Sequence, residues 1–309
     1  MMNVETKVKN MKRLLVLIIL IPLIMISIHC SKPGEIHLKG KIFYTNGSWE
    51  IKEVDFMTSM NVPAFRNLYH GPDFITFLSK VNNGNIIFSS VSPISAPILK
   101  LYNTSNNEVQ NLGEGISPVY IPEKDLLIYM KAKKPYGTKG EGSLYIGSLA
   151  HLNDSKLICK KSNGDSSLRM TLMYRPVVSI GGERVVFCGL NEIVTEYNYT
   201  NGEIKQTDIQ GLYPLIWRQR SNELLCCDKK EENFSMIEWT SKKRRTIDLG
   251  NLVYDGFVYI QDEDLLLFTT EMGETLNLNC YDFKNSTVRK FLPNTYMLDG
   301  IYFPADSIN

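Results

Sequence analysis

Histidine is scarce in this chain: its 309 residues include four, at positions 29, 37, 70 and 151. They stand at no metal-ligand spacing and His-Glu-x-x-His is missing, so histidine-based catalysis is poorly supplied. Also missing are a Gly-x-Ser-x-Gly elbow, a P-loop and a dinucleotide fingerprint, which excludes the common hydrolase and nucleotide-binding layouts. Charge of one sign is lacking too. Lysine and arginine number 34 against 33 acids, a net charge of +1, without the basic footprint that nucleic-acid binding leaves. No Cys-x-x-Cys or Cys/His spacing suggests zinc. Beyond Cys30, the cysteines are Cys159, Cys188, Cys226, Cys227 and Cys280, an odd set that cannot pair completely. Four of these lie in apolar runs, where cysteine acts as a small buried hydrophobe. Adjacent Cys226 and Cys227 would face opposite sides of a strand. Neither a metal nor an organic cofactor is expected.

The first 30 residues differ from the rest. Lys7, Lys9, Lys12 and Arg13 precede an uncharged apolar run of 15 residues, 14–28. That is the layout of a secretory signal. A spanning helix wants roughly 20 apolar residues, and Pro22 interrupts this run. Met11 offers an alternative start to the same signal. Cys30 closes the run and Ser31-Lys32-Pro33-Gly34 opens a polar linker, which resembles a bacterial lipoprotein signal with Cys30 as the lipid-bearing residue. His29 departs from that pattern, where a small residue is usual, so an ordinary signal or a retained anchor stays open. One acyl chain binds membranes only marginally, but lipoproteins carry several. The expected division is a targeting segment over 1–30, a linker over 31–37 and one domain over 38–309.

Helical periodicity of useful length is absent from that domain. Short runs rich in Val, Ile, Leu, Phe and Tyr alternate with turn-forming clusters, the signature of an all-β fold. The most apolar runs are Ile42-Phe43-Tyr44, Ile86-Ile87-Phe88, Leu127-Ile128-Tyr129, Val185-Val186-Phe187, Leu224-Leu225-Cys226 and Leu266-Leu267-Phe268. Their ends step by 44, 41, 58, 39 and 42 residues, close to the length of a four-stranded propeller blade. The long step has room for insertions, and 131–142 is expected to supply a loop there. A second apolar strand precedes each run from the second onward, over 74–77, 119–121, 177–180, 215–217 and 257–260, and more polar, alternating strands follow. The first run lacks its preceding strand. The C-terminal Gly300-Ile301-Tyr302-Phe303-Pro304-Ala305-Asp306 closely matches Ser117-Pro118-Val119-Tyr120-Ile121-Pro122-Glu123 and supplies it. The expected fold is therefore a six-bladed β-propeller closed by pairing its C-terminal strand with the N-terminal blade.

This arrangement resembles the TolB-like and WD40-like Pd40 six-bladed propellers over about residues 38–309. The Ser-Pro-Asp-Gly turn of that group is replaced by Pro-Glu-Lys-Asp at 122–125, Gly-Gly-Glu at 181–183 and Gln-Asp-Glu-Asp at 261–264. The resemblance implies an envelope protein and leaves the ligand open. In a propeller the residue just before each innermost strand stands near one mouth of the channel. Here those positions are Asp73, Ser117, Arg175, Tyr213, Asp255 and Asp299. Three acids, an arginine and a tyrosine could bind a cation, a sugar or a peptide. Asp255-Gly256 and Asp299-Gly300 read first as turn residues entering a strand, with the mouth site as the other reading. Trp217, Arg218 and Arg220 would line the other end or pack there. The basic run Lys242-Lys243-Arg244-Arg245 reads as a hairpin tip. The expectation is a monomeric, non-enzymatic envelope propeller that binds a protein or small ligand at its channel mouth and binds no nucleic acid. A propeller glycosidase using funnel carboxylates and a scaffold without a deep site are the alternatives.

Overall fold

Turn residues every ten or so positions break the body into short strands, and the strands sort by apolar content. The computed structural model describes residues 38–56, 63–132, 140–164, 175–179, 182–189, 192–228, 233–250, 253–272, 275–292, 295–297 and 299–304. The targeting segment and Cys30 lie outside the described residues. Six antiparallel sheets of four strands form. Five use consecutive strands. The sixth, blade 1, joins Gly40–Thr45, Glu50–Asp55 and Ala64–His70 to the C-terminal strand Asp299–Pro304. Blades 2 to 6 follow in chain order. Their innermost strands are Phe74–Lys80, Ile116–Ile121, Val177–Val178, Leu212–Arg218 and Val253–Ile260, and with Asp299–Pro304 each touches the next around a closed ring.

The six apolar runs all fall in the second strand of a blade, as expected. Ile86–Val91 is buried at every position, whereas the outer strands Val109–Glu114 and Glu203–Gln210 are largely exposed. Second strands have a neighbouring blade on each face, so both faces must be apolar. Cys226 packs with Val186, Trp217 and Trp239, and Cys227 packs with Phe234 and Phe268 on the opposite side. Burial pushes the Cys280 thiol up to about 12 and raises Cys226 further.

Closure is by register. Gly40 to Thr45 pair in order with Pro304 to Asp299. Phe303 is fully buried, edge-on to Phe43 at 4.8 Å, with Lys80 Nζ 4.5 Å from its ring centre.

The long step includes paired strand. Leu126–Ala132 and Gly140–Ser148 extend into 131–142 and pair there, Ser143 opposite Lys131. Lys131 reads as polar, yet its ammonium lies 4.8 Å from the Tyr145 ring centre and its stem continues the sheet.

In blades 2, 3, 5 and 6 the innermost strand bulges opposite the residue that ends the apolar run. Phe77 and Leu78 together face Phe88, Ser117 and Pro118 face Tyr129, and Gly256 and Phe257 face Phe268. Leu215 is the extra residue beside Cys226. Phe77 and Ser117 take φ of 55°, a left-handed conformation costing roughly 1–2 kcal/mol outside glycine. Glycine is obligatory at 256, where φ is 77° and a Cβ would lie 1.9 Å from the Met297 carbonyl oxygen.

Replacing Phe303 by Ala should cost about 3–5 kcal/mol, since the cavity falls at the closing seam. Thiol labelling during urea titration measures it. Cys226 and Cys280 should stay unreactive until the cooperative transition, which moves to lower urea in the variant; labelling well before unfolding would contradict the packing described.

Candidate functional site

Innermost strands begin on one face of the ring, the leading face, and end on the other. Each is an edge strand turned inward, so its axial N–H and C=O groups lack a ladder partner. Hydroxyls from neighbouring blades supply several. Ser79 Oγ accepts from Tyr120 N–H at 2.9 Å and Ser89 Oγ from Ser117 N–H at 3.2 Å. Thr45 Oγ1 donates to the Ile75 carbonyl at 2.9 Å. At the blade 2 bulge the partners are charged. Asp299 Oδ2 accepts from Leu78 N–H and Arg175 Nη2 donates to the Leu78 carbonyl. Arg175 Nη1 also donates to Asp299 Oδ1 at 2.6 Å. The ion pair thus offers Leu78 an acceptor and a donor, as an adjoining strand would. Arg175 leads into blade 4 and Asp299 begins the inner strand of blade 1, which stand opposite in a ring of six. Their bond therefore spans the centre. Burial pushes the Asp299 carboxyl up, against the pull of Arg175 and of the amide donors.

Arg175 and Asp299 are the expected mouth residues that the fold brings together. Asp73 directly precedes the blade 2 inner strand and accepts from Ser90 Oγ at 2.8 Å. Ser117 is fully buried in its bulge, and Tyr213 is fully buried between blades 5 and 6 with Leu225, Phe234 and Phe268. Asp255 sits in the strand Val253–Ile260, but its side chain lies outside the described residues. At the far end Trp217 packs on Trp239 at 5.1 Å. Arg218 grips Asp264 through Nε at 2.8 Å and reaches Glu223 at 2.6 Å. Tyr259 completes this tie between blades 5 and 6 by donating to Asp264 at 2.9 Å. Within the basic hairpin tip, Lys242 caps the Trp239 ring, Arg244 donates to Ser235 and Arg245 pairs with Glu223.

Residue spacing gave no hint of an aromatic corner on the leading face. Trp49, in the turn after the second strand of blade 1, is 48% exposed, and Phe74, first residue of the blade 2 inner strand, is 45% exposed. Their ring centres lie 5.9 Å apart, with His70 6.2 Å from Trp49. Ile94, in the corresponding turn of blade 2, is 87% exposed. The corner is exposed yet held: Gly71 N–H donates to the Trp49 carbonyl at 2.7 Å and Ile75 N–H to the Ser48 carbonyl at 2.9 Å. Glu50 and Asp73 flank it. Glu50 pairs with Lys52 at 3.2 Å and accepts from Asn67 at 3.3 Å. One signal was available in the sequence, since Trp49 follows Thr45-Asn46-Gly47-Ser48 and so belongs to a turn rather than to an apolar run.

A ring of six four-stranded blades sealed by its own C-terminal strand defines a β-propeller. Its fold is that of the TolB-like propellers. TolB from Acinetobacter baumannii is similar with a TM-score of 0.64 at 12% identity, covering 86% of this chain and 67% of that one. Putative TolB from Agrobacterium tumefaciens is similar at 0.57 and 9%, covering 86% and 99%. A chain of a nidogen/laminin complex is similar at 0.56 and 10%, again covering 86% and 99%. No family model and no curated protein matches the sequence.

The Arg218 tie sets a pH dependence. Burial acts to raise the Asp264 and Glu223 carboxyls, but hydrogen bonds from Arg218, Tyr259 and Ser221 outweigh it and hold both below their ordinary range. Both groups bind protons more weakly when folded. Their contribution to stability is present above the ordinary carboxylate range and is lost as pH falls through the lowered folded values. Arg218→Met should flatten the acid limb of stability from about pH 5 downward. Urea denaturation at stepped pH reads this out, and an unchanged limb would refute it.

Proposed function

We propose that this chain is an exported, non-enzymatic propeller of the cell envelope, anchored through a lipid-bearing Cys30, that binds a protein partner on its leading face beside the channel mouth. The observation that carries this reading is the corner of Trp49 and Phe74, with Ile94 exposed in a turn of blade 2 on the same face. Exposed aromatics on a rigid backbone are the side chains that dominate protein interfaces. Ile94 favours a protein over a sugar, because an aliphatic tip offers nothing for stacking a pyranose ring. Other exposed large apolar residues among those described, Phe65, Val109, Leu157, Ile204 and Val288, stand singly on five different outer strands. Scattered residues of that kind need no function. The carboxylates of Glu50 and Asp73 suit a partner segment that mixes apolar residues with Lys or Arg, whose cation can lie over Trp49.

Asp299, an acid considered for hydrolysis, has both carboxylate oxygens engaged and its side chain only 4% exposed. It is poorly placed to meet a glycosidic bond. The resemblance in fold to TolB structures and to a chain of a nidogen/laminin complex agrees with a binding role.

Capture from solubilised native envelopes tests the reading. Wild type and the Phe65→Ala control should retain the same partner. The double variant Trp49→Ala/Phe74→Ala should lose it by about 30-fold or more, the effect of removing one hot-spot side chain. Equal capture by that variant, or turnover of glycoside substrates by the purified protein, overturns the proposal. Anchorage has its own check. Mass spectrometry of the mature N-terminus should find acylated Cys30, and a chain starting elsewhere excludes lipidation.

A further inference from the structure

Trp49 and Phe74 belong to different blades, so something must hold those blades in register for the two rings to form one surface. We infer that Arg175 and Asp299 are the positioning residues of the aromatic corner, joining ring closure to the docking face although neither belongs to that face. This rests on reading Trp49 and Phe74 as the docking surface.

Asp299 is the knot. Its backbone pairs with Thr45 at the end of the closing strand. Thr45 Oγ1 donates to the Ile75 carbonyl at 2.9 Å and accepts from Gly47 N–H at 3.3 Å, which fixes the turn carrying Trp49. The Asp299 carboxylate holds Leu78 N–H, in the strand that begins with Phe74. Arg175 holds the opposite side of both, Asp299 Oδ1 and the Leu78 carbonyl. Hydrogen bonds therefore link Arg175 through Asp299 to the turn that carries Trp49 and to the strand that Phe74 begins. Leu78 turns its N–H and C=O to the same side, toward the axis, so one ion pair serves both groups.

Loss of the guanidinium leaves the buried Asp299 carboxylate and the Leu78 carbonyl without their charged partner. The blade 1–2 seam would loosen at that point, and the corner would lose its fixed spacing while the blade 5–6 contacts, held by Arg218 and Asp264, stay intact. An ordered corner binds more tightly than a loose one because less entropy is lost on docking.

Hydrogen exchange on Arg175→Met and on Asp299→Asn, in the full mature chain, tests this without knowing the partner. The amides of Gly71 and Ile75, which donate to the Trp49 turn, should exchange about 10- to 100-fold faster, as expected for losing one charge-assisted hydrogen bond. Amides of Leu224 to Ile237 in blade 5 should keep their wild-type rates. Acrylamide quenching should rise for Trp49, the exposed tryptophan, while Trp217 and Trp239 stay protected. If Arg175→Met does not fold, Asp299→Asn carries the test, since it preserves size and one acceptor. Uniform acceleration in every blade would mean a general stabilising role and overturn the inference, as would unchanged exchange at 45–49 and 71–75. Should the corner loosen in these variants while Trp49→Ala/Phe74→Ala still captures its partner, the coupling stands and the docking reading fails.

Discussion

Six innermost strands in a ring each turn one edge of N–H and C=O groups toward an axis where no further strand fits. Buried backbone groups must find partners, so the ring is stable only if side chains reach in to supply them. Ser79, Ser89 and Thr45 do so between adjacent blades, and the Arg175–Asp299 pair does so across the centre. The charges of that pair are repaid by mutual attraction and by the hydrogen bonds Leu78 supplies. An ion pair meeting only part of these demands would be worse than an apolar plug.

That same demand shapes the leading face. Alternate inner-strand residues offer both N–H and C=O to the axis, and the hydroxyls that stitch the blades also fix the turns above them. The Trp49 turn is tied down by Thr45, Gly71 and Ile75, so two large rings remain in water without the mobility usual for a loop tip. Exposure combined with rigidity is what separates this corner from the single apolar residues on the outer strands. At the opposite end the charged residues of blades 5 and 6 bind one another, and what reads as a cationic cluster is structural.

Blade count, blade order and the closing strand were legible because burial on both faces forces second strands to be apolar throughout, and that pattern survives in one dimension. The run-ending aromatics at 88, 129 and 268 were visible too, though their meaning was not; they mark the residues opposite which inner strands bulge. Expected mouth residues scattered because the inner strands begin a residue to either side of them: Asp73 precedes its strand while Ser117 and Tyr213 lie inside theirs, buried. Lys131 was misread because a long aliphatic stem packs where its charge suggests a loop.

The amino-acid order by itself determined the all-β class, the repeat of six and the pairing of the two ends, since each depends on local alternation and on residues matched at a fixed spacing. Only the tertiary structure decided that Arg175 and Asp299, 124 residues apart, meet at the axis, and that Trp49 and Phe74 share one exposed corner. Those contacts depend on which blades lie opposite or adjacent and on where each bulge turns its backbone. Closing the ring sets these relations, and no local pattern records them.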